Sequence, residues 1–530
     1  MNENVEQWNI SKKAVSSEKG IVASQHWLAS SVGADALEKG GNAIDAAIAC
    51  AFALNVVEPW MCGLGGSGYI LIWLAKTKEI KVIDFQGVLP KAISFEDYPL
   101  DDKVPETIMG FPGVKNQQNV LGYKSITIPG AVAGLSLAQE KYGKLGIDSI
   151  LSKTIDLAER GLSVDWFTTL QIALEAKDLS AFNESSKIYL PEGFPPNPEQ
   201  FLSLGNLSKT LKRIADKGAD DFYRGRLAEE ISNDLKQGGS KISLDDMSSY
   251  KAQFIDTLKF SYKDKTLFTA GENSGGSRLK DTFDFLEKNH KTNFFGKETY
   301  INYAKGLNSA FKTHKDKLKK IINHGCTSHM SSVDSEGNMV ALTYTLLNRF
   351  GSKVVLPKSG ILMNNSVSYF DPRPGYPTSM SGGKRINSSN MCPTICIRNE
   401  KAYFAIGASG ANHIVPCTMQ IAGFLLDYNM TIEEAFNLPR ININETNIIT
   451  VDPKIDETIL KELRKLFKVE IAQNLVFPKL YSCPSGVMRS NEGKNYGISD
   501  ISSPISGAIV ASELVINKFL NKKNGETVRA

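Results

Sequence analysis

The stretch TSHMSSVDSEGNMVALTYT runs from Thr327 to Thr345 and holds the clearest structural signal in the chain. Its centre, DSEGN, is typical of a tight turn between two strands, because Asp, Gly and Asn favour turn conformations. Pairing Val333 with Met339 across this turn places Thr327 opposite Thr345. Directly opposed side chains have Cβ atoms about 4.5–5.5 Å apart, so the spacing predicts a hydroxyl–hydroxyl hydrogen bond. An ordinary structural hairpin with a surface Thr–Thr pair fits the same pattern.

Thr327 is also a candidate nucleophile, but a threonine hydroxyl reacts poorly unless a base activates it. His329 lies two residues along the strand on the same face, which makes it one candidate base. A cut between Cys326 and Thr327 would supply another base, the freed α-amino group of Thr327, whose pKa would be about 7.7–8. These residues alone leave both arrangements open.

The composition is that of an ordinary globular protein. The 530 residues are 42% hydrophobic and 22% charged, and 61 basic against 57 acidic side chains give a net charge of +4. A chain of this length holds roughly two to four domain-sized units, or fewer large ones. The even charge balance argues against a nucleic acid or an anionic membrane as partner.

Neither a signal peptide nor a membrane span is predicted. The N-terminus lacks an apolar core, and the longest apolar run, AIDAAIACAFALNVV, is short and interrupted by Asp45 and Asn55. We therefore expect a soluble, cytoplasmic protein. The seven cysteines are scattered, which argues against a disulfide framework. Cys392 and Cys396 are interpreted as buried thiols on one strand rather than as part of a zinc site.

Periodicity predicts a helix-rich first part and a strand-rich second part. Two helices are expected within residues 20–59, joined at Gly40-Gly41-Asn42, with the second running from Ala43 to about Val57. Further predictions are mainly helix over 130–236, strands over 244–271, a helix with a lysine-rich face over 299–322, strands after 326, and late helices at about 417–428 and 457–467. GLGGSG at 63–68 follows a helix and precedes a strand, the reverse of a nucleotide-binding loop.

Several long segments, taken in order, resemble one known family. They are GIVASQHWLASSVGADALEKGGNAIDAAIACAFALNVVEPWMCGLGGSGYI, SITIPGAVAGLSLAQEKYGKL, GADDFYRGRLAEEI, TSHMSSVDSEGNMVALTYT, MCPTI and GASGANHI. Together they resemble the γ-glutamyltranspeptidase (γ-glutamyltransferase) family of N-terminal nucleophile hydrolases. The resemblance implies an α+β, four-layer αββα fold in which two stacked antiparallel sheets lie between helical layers.

The resemblance also implies a reaction. Autocatalytic cleavage between Cys326 and Thr327 would give a large subunit, 1–326, and a small subunit, 327–530, which remain one intertwined unit. Thr327 would form an acyl-enzyme, with its own α-amine rather than His329 as the base. Thr345 matches a second threonine that hydrogen-bonds the nucleophile.

Further implied features concern the oxyanion and the partners. Backbone N–H groups of Gly410 and Ala411, in GASGANHI, would stabilise the oxyanion. No metal or organic cofactor is implied. The implied partners are a small-molecule amide, water or an amine acceptor, the two subunits of one precursor, and, as an open possibility, further copies of the chain.

The substrate-binding positions depart from the family pattern. Gln86 stands where an arginine is usual, which removes a bidentate partner for a carboxylate. Leu347 precedes Asn348 at a position that is usually polar, and a neutral tyrosine replaces an aspartate that would hold an ammonium group. The positions that the resemblance assigns to substrate binding are Gln86, Asn348, Ser366, Tyr369, Ser388 and Ser389.

Three functional hypotheses follow. In the first, the chain is a γ-glutamyl hydrolase or transferase that acts on glutathione-like compounds. In the second, it is a relative that acts on another amide, as in the oxamate amidohydrolase or cephalosporin-acylase-like branches. In the third, it is an unprocessed homologue without catalytic activity. The changed polar positions favour the second hypothesis, because a site built to pair a charged group discriminates steeply.

Overall fold

The computed structural model describes residues 10–314, 325–472, 482–511 and 515–521. The strands in this part of the chain are β1 Val15–Ser17, β2 Gly20–Ser24, β3 Ser67–Leu74, β4 Glu79–Asp84, β5 Leu162–Ser163, β6 Phe201–Leu202, β7 Gln253–Ile255, β8 Leu258–Tyr262, β9 Lys265–Thr269, β10 Gly325–Asp334, β11 Met339–Asn348, β12 Thr394–Arg398, β13 Lys401–Ser409, β14 Ile441–Glu445, β15 Ile448–Val451, β16 Lys468–Ile471, β17 Cys483–Arg489, β18 Asn495–Ser499 and β19 Gly507–Val510.

The helices complete the list of elements. They are α1 Trp27–Glu38, α2 Ala43–Val57, α3 Ala131–Tyr142, α4 Ile147–Arg160, α5 Trp166–Ser180, α6 Asn183–Tyr189, α7 Leu207–Tyr223, α8 Arg226–Gln237, α9 Leu244–Ser249, α10 Gly276–Asn289, α11 Lys297–Thr313, α12 Ile414–Tyr428, α13 Ile432–Asn437, α14 Glu457–Arg464 and α15 Val515–Leu520. No helix in the described ranges combines the length and the apolar character needed to cross a membrane.

Two seven-stranded antiparallel sheets form the centre of the molecule. One has the order β19-β2-β10-β11-β3-β4-β7, and the other has the order β1-β18-β17-β13-β12-β9-β8. The sheets stack face to face, with β10 and β11 of the first against β13 and β17 of the second. The predicted hairpin therefore lies in the middle of the sheet stack.

Helices cover both outer faces, which gives the four-layer αββα arrangement. Strand β3 illustrates the layering, since Tyr69, Leu71 and Trp73 pack between the sheets. Ile70 and Ile72 point the other way, into the core formed with α1, α2 and their neighbours. Helices α10, α11 and α12 cover the second sheet. Strands buried on both faces are apolar at nearly every position, as this one is. The predicted fold class is confirmed.

Most predicted elements are present, with local corrections. The two N-terminal helices are confirmed as α1 and α2, and Asn42 caps α2 through a capping box with Asp45. Residues 20–24 form strand β2 instead of lying in the helical region, because they pair with β10 and β19. Residues 244–249 form helix α9 rather than strand.

Two further predictions have different outcomes. The helix predicted over 299–322 is observed as α11, Lys297–Thr313, and residues 315–322 lie outside the described part of the chain. Cys392 and Cys396 are both buried in the core under the second sheet, which confirms their interpretation as buried thiols, but Cys392 precedes β12 and only Cys396 lies on a strand.

Candidate active site

The central hairpin has a β-bulge at the candidate nucleophile. The predicted pairing of Val333 with Met339 is confirmed and continues along most of both strands. The register then shifts by one residue next to Thr327, so that Cys326 faces Leu347. The predicted register is therefore wrong beyond this point. Bulges bend a strand and re-aim side chains, and they are frequent next to active sites.

The two threonine hydroxyls meet at one carbonyl group. Thr327 is only 5% exposed, and its Oγ1 lies 3.3 Å from Oγ1 of Thr345, which confirms the predicted contact. The Thr327 hydroxyl donates to the carbonyl oxygen of Cys326 at 2.7 Å, and the Thr345 hydroxyl donates to the same oxygen. Thr345 also accepts from the backbone N–H of Leu347 at 2.8 Å, which fixes its orientation. The carbonyl that precedes Thr327 is thus polarised beside a hydroxyl group.

His329 belongs to the packing between the sheets. Its Nδ1 lies 2.7 Å from Oγ1 of Thr343 and its Nε2 lies 2.9 Å from Oγ of Ser331, so both ring nitrogens are occupied. Burial lowers the pKa of His329 to about 3, which keeps the ring neutral at physiological pH. A Cβ on Gly407 would lie 2.4 Å from the ring, so the second sheet packs directly on it. These contacts favour a structural role.

The loop after β13 presents the predicted oxyanion donors. Gly410 and Ala411 both have positive φ, 115° and 51°, which turns the chain sharply. Among the described residues, neither backbone N–H has a hydrogen-bond acceptor. The loop lies against the start of β10, since a Cβ on Gly325 would lie 2.8 Å from that of Ala411. Unpaired N–H groups beside the nucleophile are suited to a developing negative charge.

The glycine-rich segment 63–68 supports the second threonine. A Cβ on Gly66 would lie 2.6 Å from the carbonyl oxygen of Thr345, and one on Gly68 would lie 2.2 Å from that of Thr343. Only residues without a side chain allow β3 and the preceding loop to pack this closely on β11. The segment therefore has a structural role in the site.

Glu58, which the sequence interpretation missed, lies buried next to the nucleophile. Its Oε2 accepts a hydrogen bond from Oγ of Ser328, the residue after Thr327, at 2.5 Å. Burial raises the pKa of Glu58 to about 8, and the Ser328 hydrogen bond offsets only part of this rise. Glu58 is therefore largely protonated at neutral pH.

A narrow cavity beside Thr327 has a mostly apolar lining. Its lining residues are Ile108, Met109, Gly325, Thr327, Leu347, Tyr369, Asn390, Met391, Ala411 and Ile414. Leu347 occupies this lining at the usually polar position, and Asn348 is absent from it. Within the described ranges, no acidic side chain is part of this lining.

The other positions assigned to substrate binding lie in two places. Ser388 and Ser389 line a second, polar cavity, which shares Asn390 with the first. Gln86 and Ser366 are fully buried, and neither lines these two cavities. The structure thus brings Thr327, Thr345, Tyr369 and Ala411 together and places the serine pair next to them.

An arginine from another segment lies beside Gln86. Arg385 donates to the Gln86 carbonyl oxygen at 2.9 Å and to the carbonyl of Lys251 at 2.7 Å, and it forms an ion pair of 3.5 Å with Asp84. Its guanidinium also lies over the ring of Tyr250. Arg385 is therefore already satisfied by protein groups.

Comparison with known proteins identifies the family. The family model described as Gamma-glutamyltranspeptidase matches residues 29–313 and 295–509. The chain belongs to this family. As a family member, the protein is an amide hydrolase and acyltransferase.

The relatives that the chain resembles in the γ-glutamyltranspeptidase family include proteins named glutathione hydrolase and proteins named acylase. The chain is 28% identical over 540 residues to the glutathione hydrolase proenzyme of Escherichia coli (strain K12), covering 92% of this chain and 91% of the relative. It is 30% identical over 493 residues to the acylase ACY 1 proenzyme of Pseudomonas sp. (strain SE83), covering 85% of this chain and 87% of the relative. The structure of cephalosporin acylase from Bacillus halodurans superposes with a TM-score of 0.84 at 20% identity, covering 96% of this chain and 99% of that one. This last likeness concerns the fold.

Proposed function

We propose that the chain cleaves itself between Cys326 and Thr327. The observation that carries the proposal is the contact of the Thr327 hydroxyl, at 2.7 Å, with the carbonyl oxygen of Cys326, to which Thr345 also donates. Attack of Thr327 Oγ1 on this carbonyl carbon forms an ester as the Cys326–Thr327 C–N bond breaks, and the hydroxyl proton passes to the leaving nitrogen. Water then hydrolyses the ester, which leaves a carboxylate on Cys326 and a free amine on Thr327.

The same hydroxyl then serves in amide cleavage. The freed α-amine, with a pKa of about 7.7–8, takes the Thr327 hydroxyl proton as Oγ1 attacks the substrate carbonyl. The N–H groups of Gly410 and Ala411 stabilise the oxyanion, and the proton passes to the leaving amine. Water or an amine acceptor releases the acyl group from Thr327. The two subunits, 1–326 and 327–530, remain associated because β10 and β11 of the small subunit pair with β2 and β3 of the large subunit in one sheet.

The substrate is a small amide with a γ-glutamyl or related acyl group. The name of the Escherichia coli relative, glutathione hydrolase, supports the γ-glutamyl assignment. A second candidate is an amide whose acyl group carries no ammonium. It is favoured by the lining of the Thr327 cavity, where Leu347 and Tyr369 stand at usually polar or acidic positions. A neutral lining offers no ion pair to an ammonium group.

A denaturing gel and an anilide assay test this function together. Purified protein should give two bands of about 36 and 22 kDa, in proportion to the 326 and 204 residues of the two parts of a 58.1 kDa chain. Thr327→Ala should remain a single band without activity, while Thr458→Ala, a change at an exposed position in the first turn of α14, should behave as wild type. A persistent single band in the wild type would refute the proposal. Efficient turnover of γ-glutamyl-p-nitroanilide with Gly-Gly would select the first candidate substrate.

A further inference from the structure

Arg278, near the start of α10, is a buried cation that has no acidic partner in the described part of the chain. Its side chain is 8% exposed, and its one hydrogen-bond acceptor among the described residues is Oδ1 of Asn390. Burial lowers the pKa of the guanidinium to about 10, so it remains charged at neutral pH. By contrast, Arg373 pairs with Asp371, and Arg385 pairs with Asp84. A buried charge without a counter-ion is costly, so its retention calls for a ligand.

The guanidinium opens into the polar cavity next to the active site. Besides Arg278, this cavity is lined by Glu272, Asn273, Ser274, Ser277, His314, Asn387, Ser388, Ser389 and Asn390. The first turn of α10 lies in the lining, and helix N-termini favour anions. Glu272, the acidic member of this lining, is exposed, and His314 is engaged by Asp281 at 2.8 Å. Hydroxyl, amide and guanidinium donors therefore dominate the interior.

Asn390 joins this cavity to the nucleophile. It lines both the polar cavity and the cavity beside Thr327. Its Oδ1 accepts from Arg278, and its Nδ2 donates to Oδ1 of Asn412 at 3.1 Å, one residue beyond the oxyanion loop. Asn390 therefore separates the cavity beside Thr327 from the cavity that the Arg278 guanidinium lines, and it contacts both.

The charges of the two cavities suit an anion without a neighbouring ammonium. The Thr327 cavity has no acidic residue among its described lining residues, and its Tyr369 stands where the family resemblance implies an ammonium-binding carboxylate. Gln86 supplies no cation, and the nearby Arg385 is occupied by Asp84 and backbone carbonyls. Arg278 is thus the cation of this region that has no acidic partner among the described residues.

We propose that Arg278 binds a carboxylate at the far end of the substrate's acyl group. The preferred substrates are then amides of an acyl chain that ends in a carboxylate, and an α-ammonium on that chain adds nothing to binding. A guanidinium pairs with a carboxylate through two parallel hydrogen bonds. The pair compensates the charge of the carboxylate and also fixes the orientation of the acyl chain. This inference rests on the proposed acyl-enzyme at Thr327.

Three p-nitroanilides separate the contributions of the two charges. The γ-glutamyl compound carries both charged groups, the glutaryl compound lacks only the ammonium, and the butanoyl compound lacks both. We expect kcat/KM for glutaryl to exceed that for butanoyl by about 10- to 100-fold, as charge-assisted hydrogen bonds allow. The γ-glutamyl compound should be no better than glutaryl. Equal turnover of glutaryl and butanoyl, or a γ-glutamyl preference above about tenfold, would overturn the proposal.

Arg278→Met should abolish this discrimination. Its kcat/KM for glutaryl should fall to about the value that the same variant shows for butanoyl, so that the ratio of the two approaches one. Arg278→Lys should keep part of the ratio, and Arg464→Met, a change on the exposed surface of α14, should keep all of it. A purely structural role for Arg278, exerted through Asn390, would lower both substrates equally and leave the ratio unchanged. That result would contradict the proposal.

A measurement on the wild-type enzyme makes the test independent of whether variants fold. Glutarate should inhibit competitively with an inhibition constant at least about tenfold lower than that of butanoate. Equal inhibition by the two acids would overturn the role of Arg278 while leaving the acyl-enzyme intact. Absence of both self-cleavage and anilide turnover would instead refute the proposed function, and the inference with it.

Discussion

At the scale of single residues, Thr345 links the two reactions proposed for Thr327. Its hydroxyl donates to the Cys326 carbonyl and receives the N–H of Leu347. Leu347 has φ of 85°, an unusual value for a residue with a branched side chain. The bulge thus places a donor at the scissile carbonyl through a strained backbone that the rest of the sheet holds in position.

We expect Thr345→Ala to slow self-cleavage by about 10²–10³-fold, because the scissile carbonyl loses a preorganised donor. The measurement is the cleaved fraction against time on a denaturing gel. Thr345→Ser, which keeps the hydroxyl, is the matched control and should cleave at a rate close to that of wild type. An alanine variant that matures as fast as wild type would show that Thr345 does not act on the Cys326 carbonyl.

Glu58 should make stability depend on pH. Its folded-state pKa of about 8 lies above its ordinary value of 4.5, so the folded chain holds an extra proton between these values. The contribution of Glu58 to stability is complete below about pH 4.5 and is lost as the pH rises through about 8. The full effect is roughly 3–5 kcal/mol.

Glu58→Gln should flatten the fall in stability between pH 5 and 8, because glutamine resembles the protonated acid and does not titrate. The measurement is thermal unfolding as a function of pH, with both proteins carrying Thr327→Ala so that the chain stays uncleaved. Glu400→Gln, at an exposed carboxylate, should keep the wild-type slope. Parallel pH profiles for Glu58→Gln and wild type would exclude an effect of Glu58.

At the scale of elements, the close packing of β3 on β11 holds the nucleophile strand in position. Gly68→Ala would bring a Cβ within 2.2 Å of the Thr343 carbonyl oxygen and 2.6 Å of Cβ of Tyr344. We expect a loss of about 1–3 kcal/mol in stability, as for other overpacked cores, together with slower self-cleavage. Melting temperature and gel densitometry measure the two effects.

A matched glycine provides the control for this change. A Cβ on Gly296, before α11, would meet no atom within 4 Å, so Gly296→Ala should alter stability by less than about 0.5 kcal/mol. Equal melting temperatures for the Gly68 and Gly296 variants would mean that the contact between β3 and β11 relaxes without cost.

At the scale of the whole molecule, local signals in the sequence predicted the elements that they encode. The DSEGN turn fixed the hairpin pairing, and the Gly40-Gly41-Asn42 break separated α1 from α2. Strand β2 was missed because five buried residues have no period of their own and depend on pairing with β10. The four-layer fold followed from family resemblance, since no local pattern specifies how two sheets stack.

The site was predictable only where its residues are adjacent or paired across the turn. Thr327 and Thr345 met this condition, although the bulge between them did not follow from the spacing. Glu58 lies 270 residues from Ser328, and no local pattern indicates that they touch. Arg278 and Asn390 are 112 residues apart, so the unpaired charge emerges only when α10 packs beside the active-site loops.

The central claim is that Thr327 becomes the first residue of a new chain. Intact-mass and N-terminal mass spectrometry of the purified protein test it most directly. We expect a small subunit with the mass of residues 327–530 and an unmodified threonine with a free amine at its N-terminus. A chain that stays whole at 58.1 kDa, or a small subunit that starts at any residue other than Thr327, would contradict the account.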